Sequence, residues 1–73
     1  MKNPVSMILD AQQKGIPTFT IKGTDKYAVG AIRHYYALLL KDDKVSEHYK
    51  AEIRHFLLEF ERYHIGGLTK IPD

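Results

Sequence analysis

The chain has 73 residues, of which 44% are hydrophobic and 27% charged, with a formal net charge of +2 and no cysteine. A single domain of this size buries only about 60% of the surface that its unfolded chain exposes, and it has no disulfide or zinc–thiolate site to stabilise it. We therefore expect a homo-oligomer. The weak positive charge argues against nucleic acid as a partner. The apolar run at residues 5–9 is too short for a secretory signal or a membrane span, which predicts a cytoplasmic protein.

The first predicted element is a short helix over about residues 4–14. Asn3 followed by Pro4 is typical of an N-cap with proline in the first helical position, and Lys14 followed by Gly15 is typical of a helix end. The helix is amphipathic, and three apolar residues share its predicted inner side: Val5, Ile8 and Leu9.

A short β-element is predicted next, over residues 18–22. Pro17 prevents a continuing helix, and the letters TFTIK alternate so that Phe19 and Ile21 share one face. A single strand needs a partner for its backbone N–H and C=O groups. Two partners remain open: the alternating tail at residues 68–71, which follows a Gly-Gly turn, or a second subunit.

Two long helices follow, over about residues 25–41 and 46–65. Apolar residues cover more than half of the circumference of the first, which is wider than one intramolecular neighbour can cover and again favours a homo-oligomer. Ser46 is a suitable N-cap for the second. The sequence thus predicts a mainly α-helical single domain: a short N-terminal helix, one short β-element and an antiparallel hairpin of two long helices.

Two Glu-x-x-His spacings occur in the second long helix, Glu52 to His55 and Glu61 to His64. Di-iron bundles use this spacing together with carboxylates from facing helices. The first long helix has acids only at its ends, and the two motifs point in different directions. We therefore predict no metal site, and interpret the stripe of alternating His and Glu as a solvated face with pairs four residues apart. Its members are His48, Glu52, His55 and Glu59.

No catalytic residue and no cofactor is predicted. The chain lacks cysteine, and Ser6 and Ser46 stand in no context that places a nucleophile beside an oriented base. We therefore expect that the protein is not an enzyme.

A candidate anion site surrounds the start of the first long helix. Free backbone N–H groups and the helix dipole favour negative charge there. Cations lie close by in sequence, and tyrosines that could stack on a base occur on the same helix. The candidate ligand-binding residues are Lys22, Thr24, Lys26, Tyr27, Arg33 and Tyr36. Gly30 has no side chain, so it leaves a shallow depression on this side of the helix. The alternative interpretation is that Thr24 or Asp25 simply caps the helix while the cations are solvated.

The run PTFTIKGTDKYAVGAIRHYY, followed by a second amphipathic helix that ends in FLLEFERY, resembles a group of very small proteins encoded by bacteriophages and prophages. The similarity extends in layout over residues 1–63. The family has no known active site, so the resemblance transfers no functional residue.

The resemblance implies a protein made in the cytoplasm of an infected or lysogenic bacterial host. Compact oligomeric phage proteins often disarm host defence, and one strategy is to sequester a nucleotide second messenger between subunits. We therefore expect an anti-defence binder of a nucleotide-like anion. The alternative is a protein–protein interaction module that inhibits or regulates a host or phage partner.

Overall fold

The computed structural model describes residues 3–72. It contains three helices, α1 (Pro4–Gln13), α2 (Ala28–Lys41) and α3 (Glu47–Ile65). The prediction of a mainly α-helical protein is confirmed. α2 begins three residues later than predicted, because residues 25–27 form a turn in which the Tyr27 amide donates to Asp25 Oδ1 over 2.8 Å.

Both ends of α1 are formed by the signals that predicted them. Asn3 Oδ1 accepts a hydrogen bond from the Val5 amide at 2.9 Å, and Pro4 occupies the first turn. At the other end Gly15 has a φ of 70°, and the Ile16 amide donates to the Ala11 carbonyl over 2.8 Å. A second bond joins the Gly15 amide to the Gln12 carbonyl, so the helix ends in a Schellman motif.

α3 ends in the same way. Gly67 has a φ of 72° and its amide donates to the His64 carbonyl, while the Leu68 amide donates to the Tyr63 carbonyl over 3.0 Å. At the start, the Ser46 hydroxyl accepts from the Tyr49 amide. The motif at Gly67 reverses the chain and directs the tail toward the start of α2.

α2 and α3 pack against each other and are joined by residues 42–46. Arg33, in the first half of α2, approaches Glu61 near the end of α3, with Nη2 and Oε2 3.6 Å apart. The Tyr35 and Tyr49 hydroxyls, further toward the connecting loop, are 2.8 Å apart. These contacts support the predicted hairpin, since they pair the start of one helix with the end of the other.

The core is small, and the hairpin supplies most of it. The buried apolar residues are Ala11, Ala28, Val29, Leu39 and Leu57, and all but Ala11 belong to α2 or α3. The side chain of Lys50 is only 8% exposed, and its ammonium reaches Glu47 at 3.4 Å. Large apolar side chains of every helix and of the segments between them remain exposed, with Phe19 at 85%.

The molecule is open for its size. Its accessible surface is 6094 Å², roughly a third more than the value of about 4,600 Å² expected for a compact monomer of this mass. The radius of gyration is 13.6 Å, against about 11 Å for a compact domain. α1 accounts for part of this difference, because within the described residues it makes no close backbone approach to α2 or α3.

The strand predicted over residues 18–22 is not formed in the described part of the chain. Residues 18–22 have no regular secondary structure. Lys70 instead forms an isolated parallel bridge with Asp25. Two bonds of 2.8 Å close it, from the Lys26 amide to the Lys70 carbonyl and from the Lys70 amide to the Thr24 carbonyl. The tail that follows Gly67 therefore reaches the turn before α2, and residues 18–21 have no hydrogen-bond partner within residues 3–72.

Candidate functional site

A cleft of about 420 Å³ lies between residues 19–25 and the C-terminal tail. Lysines stand in both of its walls, Lys22 in the first and Lys70 in the second. The full lining is Phe19, Thr20, Lys22, Thr24, Asp25, Lys70 and Pro72. The cleft is therefore polar and basic along one edge, with an exposed aromatic ring at another.

Backbone hydrogen bonds hold the two walls of this cleft together. The bridge fixes Lys70 beside Thr24, because the Lys70 amide donates to the Thr24 carbonyl. The turn is closed by the Asp25 amide, which donates to the Lys22 carbonyl over 3.0 Å. The backbones that carry both lysines are thus fixed by bonds that do not involve their side chains.

The cations around the cleft are not neutralised by ion pairs. Within residues 3–72, Lys22, Lys26 and Lys70 take part in no salt bridge. Asp25 is the opposing charge in the lining, and its Oδ1 accepts the Tyr27 amide. The carboxylate thus stabilises the turn before α2. The N-cap of α2 is Tyr27, without a side-chain cap bond, so neither Thr24 nor Asp25 caps the helix as the alternative prediction had it.

The structure brings together two of the six predicted ligand-binding residues. Lys22 and Thr24 line the cleft, and both also line a smaller hollow of about 290 Å³ against α3. The other four are not in the cleft lining. Arg33 pairs with Glu61, and Tyr27 is the exposed N-cap of α2. Lys26 is exposed and Tyr36 is half-buried on α2.

Sequence reasoning missed Lys70. The sequence predicts the alternating tail as a possible partner for residues 18–22 and does not place Lys70 at the turn before α2. The observed pairing is with residues 24–26, where Lys70 bridges to Asp25, and it brings Lys70 into the lining of the cleft that Lys22 also lines. The signal in the sequence was the tail itself, but its register depends on how α3 packs against α2.

An apolar groove of about 560 Å³ lies on another side of the same segment, between α1, residues 18–21 and α3. Its lining is Pro4, Met7, Ile8, Ala11, Thr18, Phe19, Thr20, Ile21 and Phe56. Segment 18–21 thus borders the basic cleft and also lines this apolar groove.

The His and Glu stripe on α3 forms pairs one helical turn apart. His48 Nε2 lies 2.8 Å from Glu52 Oε1, and His55 Nε2 lies 3.1 Å from Glu59 Oε1. Neither histidine of the Glu-x-x-His spacings pairs with the glutamate of its own motif. Within residues 3–72 no group of three or more His, Asp or Glu side chains is close enough to hold a metal ion.

The two tyrosines between the hairpin helices form one hydrogen-bonded pair. The bond from Tyr35, together with partial burial, raises the pKa of Tyr49 from 10.0 to about 12. The Tyr49 hydroxyl therefore stays neutral across the physiological range, and its bond to Tyr35 joins the two helices.

The chain matches no protein-family model, no curated protein and no solved structure. No helix in the described part of the chain is long and apolar enough to cross a membrane. The function is therefore argued from the geometry of the cleft and of the exposed surface.

Proposed function

We propose that the protein is a homo-oligomeric, non-enzymatic binder of a small nucleotide-like anion. The observation that carries this proposal is the cleft in which Lys22, Thr24 and Lys70 converge without an ion-pair partner for either lysine in residues 3–72. Lysine ammonium groups are suited to phosphate oxygens, and bonds between charged groups are about twice as strong as neutral ones. The Thr24 hydroxyl adds a neutral donor.

A stacking surface is part of the same cleft. Phe19 lines it and is 85% exposed, so its ring is accessible to a nucleobase. Stacking of a base on an aromatic side chain contributes about 1–3 kcal/mol. In this proposal Phe19 takes the role that the sequence suggested for Tyr27 or Tyr36. Lys26 adds positive charge just before α2, whereas the charge of Arg33 is partly compensated by Glu61.

Oligomerisation completes the site. An open cleft in an isolated chain leaves most of a nucleotide in solvent, whereas binding pockets cover most of their ligand. The exposed apolar side chains beside the cleft favour a second subunit at that boundary.

In biological terms we propose an anti-defence role in the cytoplasm of an infected or lysogenic bacterial host. The resemblance to small phage proteins supports this step, and the ligand class that fits it is a nucleotide second messenger. Sequestration needs no catalysis, only affinity and abundance.

The test is a thermal-shift screen of cyclic and linear nucleotides, followed by calorimetric titration of any that stabilises the protein. Lys22→Ala and Lys70→Ala are each expected to weaken binding by about 10- to 100-fold, since a hydrogen bond to a charged group contributes about 1.5–3 kcal/mol. Lys44→Ala, in the loop at the other end of the hairpin, is the matched control for lost positive charge. Lys26→Ala and Arg33→Ala measure the field along α2.

Two results would end the anion proposal. One is the absence of stabilisation by every nucleotide screened. The other is a nucleotide that binds Lys22→Ala and Lys70→Ala as tightly as it binds the parent.

The apolar groove favours a second candidate, an interaction module that inhibits a host or phage partner. Groove residues such as Ile8 and Phe56 come from separate helices and form a surface on which an apolar segment could lie. This candidate requires a partner that the purified parent binds and that Ile8→Glu loses, with helix content unchanged by circular dichroism.

A further inference from the structure

Residues 18–21 have no hydrogen-bond partner within the described chain. The neighbouring bonds stop at the Ile16 amide on one side and at the Lys22 carbonyl on the other. Backbone N–H and C=O groups beside apolar side chains are a template for strand pairing. Lys70, the intramolecular candidate, is already bonded to residues 24–26.

We infer that residues 18–22 pair antiparallel with the same residues of a second copy, about a two-fold axis at Thr20. The inference rests on the homo-oligomer of the proposed function and names its interface. A two-fold interface requires a surface that is complementary to itself. A strand with an odd number of residues centred on Thr20 meets this requirement.

The side chains match in this register. Phe19 lies opposite Ile21 of the partner subunit, an aromatic and β-branched pair of the kind that stabilises antiparallel sheets. On the other face Thr20 meets the partner's Thr20, and Thr18 meets the partner's Lys22. Each lysine therefore faces a neutral side chain.

Other registers are less favourable. A parallel pair in register sets Lys22 directly against Lys22 of the partner subunit, and like charges in that position are destabilising. Moving the axis to Phe19 brings Pro17, which has no N–H, into the ladder. Moving it to Ile21 places Phe19 against a glycine, Gly23 of the partner subunit, which offers no side chain to pack on.

The exposed area agrees with a dimer. The surface in excess of a compact monomer, 6094 Å² against about 4,600 Å², is about 1,500 Å², and a stable interface buries about 800 Å² on each partner. The apolar groove beneath Thr18, Phe19 and Ile21 continues the same surface onto α1. A second copy seated on this segment would cover the groove.

Single cysteines test the register, because the native chain has none. A disulfide needs Cα atoms about 4.4–6.8 Å apart, and residues directly opposite in an antiparallel pair are about 4.5–5.5 Å apart. Thr20→Cys is therefore expected to form a covalent dimer at least about tenfold faster than Lys44→Cys, the exposed control. In Thr18→Cys alone the two cysteines are about 13 Å apart along the strands and stay unlinked. The same separation applies to Lys22→Cys alone.

A mixture of Thr18→Cys and Lys22→Cys is expected to give the mixed covalent dimer. Self-linking of Thr18→Cys or of Lys22→Cys as fast as Thr20→Cys would indicate a parallel or shifted pair and overturn the inference. Sedimentation of the parent distinguishes a failure of the strand pairing from a failure of the proposed function. A monomeric parent overturns both, while an oligomeric parent in which Thr20→Cys links no faster than Lys44→Cys overturns only the strand pairing. A dimer that links at residue 20 but binds no nucleotide supports the pairing and contradicts the anion site.

Discussion

The N-terminal segment, residues 3–22, and the α2–α3 hairpin are equally well formed locally and very differently packed. α1 and α3 each have a side-chain N-cap and a Schellman ending around a glycine with positive φ. Among residues 3–72, the hairpin nevertheless contributes four of the five buried apolar residues, whereas the N-terminal segment contributes only Ala11. Local signals therefore determine where a helix begins and ends, and burial depends on what lies opposite its apolar face.

This difference separates two kinds of stability in one small chain. The hairpin buries four apolar residues among residues 3–72 and exposes others, whereas the apolar side chains of the N-terminal segment other than Ala11 are at least partly exposed. Substitutions in the first region should change the free energy of unfolding. Those in the second should change association.

The largest effect is expected in the hairpin core. Leu57 is 7% exposed, and Leu57→Ala should lower the free energy of unfolding by about 2–5 kcal/mol through lost burial and the cavity left behind. Leu58→Ala, at a neighbouring residue that is 50% exposed, should cost about 0.5 kcal/mol or less. Urea denaturation at one protein concentration measures both. An equal loss for the two would mean that Leu58 is covered in the assembled protein.

Association should respond to Phe19. Phe19→Ser removes a ring that an isolated chain leaves in solvent, so helix content should stay unchanged while the dissociation constant of the oligomer rises by about 10- to 100-fold. Leu40→Ser, at an exposed position in the last turn of α2, is the matched control. Sedimentation equilibrium provides the constants. A larger change for Leu40→Ser would locate the interface on the hairpin instead.

The two glycine-terminated helix ends offer a direct test of whether α1 and the hairpin unfold together. Alanine at Gly15 or Gly67 meets no atom within 4 Å, so its cost is the left-handed backbone alone, about 1–2 kcal/mol. Gly67→Ala should lower the global free energy of unfolding by that amount, because α3 belongs to the hairpin. Gly15→Ala should loosen only the end of α1. Equal global losses in urea would show that α1 and the hairpin unfold as one unit.

The smallest effect concerns the tyrosine pair. Tyr35→Phe removes the hydrogen bond to Tyr49, which should cost about 0.5 kcal/mol at neutral pH and lower the pKa of Tyr49 from about 12. The raised pKa means that the native state holds its proton more tightly than the unfolded chain. The contribution of the Tyr49 proton to the free energy of unfolding is therefore complete below pH 10 and is lost as the pH rises toward 12.

Tyrosinate absorbance during an alkaline titration follows this change. Tyr27→Phe, which removes an exposed ring hydroxyl, serves as the control. A parent and a Tyr35→Phe variant with the same highest tyrosine pKa would show that the bond between the two hydroxyls is not formed in solution.

Much of the fold could be predicted because its signals are short-range. The ends of α1 and α3 are formed by bonds between groups no more than five residues apart. The residues at these ends are the ones that the sequence indicates: Asn3, Gly15, Ser46 and Gly67. The start of α2 could not be predicted in this way. Residues 25–27 form a turn before the helix, and this turn is also bonded to the tail from the Lys26 amide to the Lys70 carbonyl, which joins distant parts of the chain.

The candidate site also combines residues placed by short-range signals with residues placed by tertiary contacts. Lys22 and Thr24 adjoin a turn that Gly23 indicates in the sequence, and both residues line the cleft. Lys70 enters through a tertiary register, and Arg33 pairs with Glu61 through the packing of two helices. Neither relation leaves a local pattern in the sequence. The six predicted ligand residues as a set stay a prediction that the nucleotide titrations address.

The bridge between the tail and the turn before α2 also makes deuterium uptake informative. The Lys26 amide donates to the Lys70 carbonyl and the Lys70 amide donates to the Thr24 carbonyl, so both amides are protected only while the tail stays bonded to the turn before α2. They should therefore take up deuterium together, at the rate at which the tail detaches. An anion held between Lys22 and Lys70 would slow both amides in parallel, and exchange at these two positions would then report occupancy of the cleft without a labelled ligand.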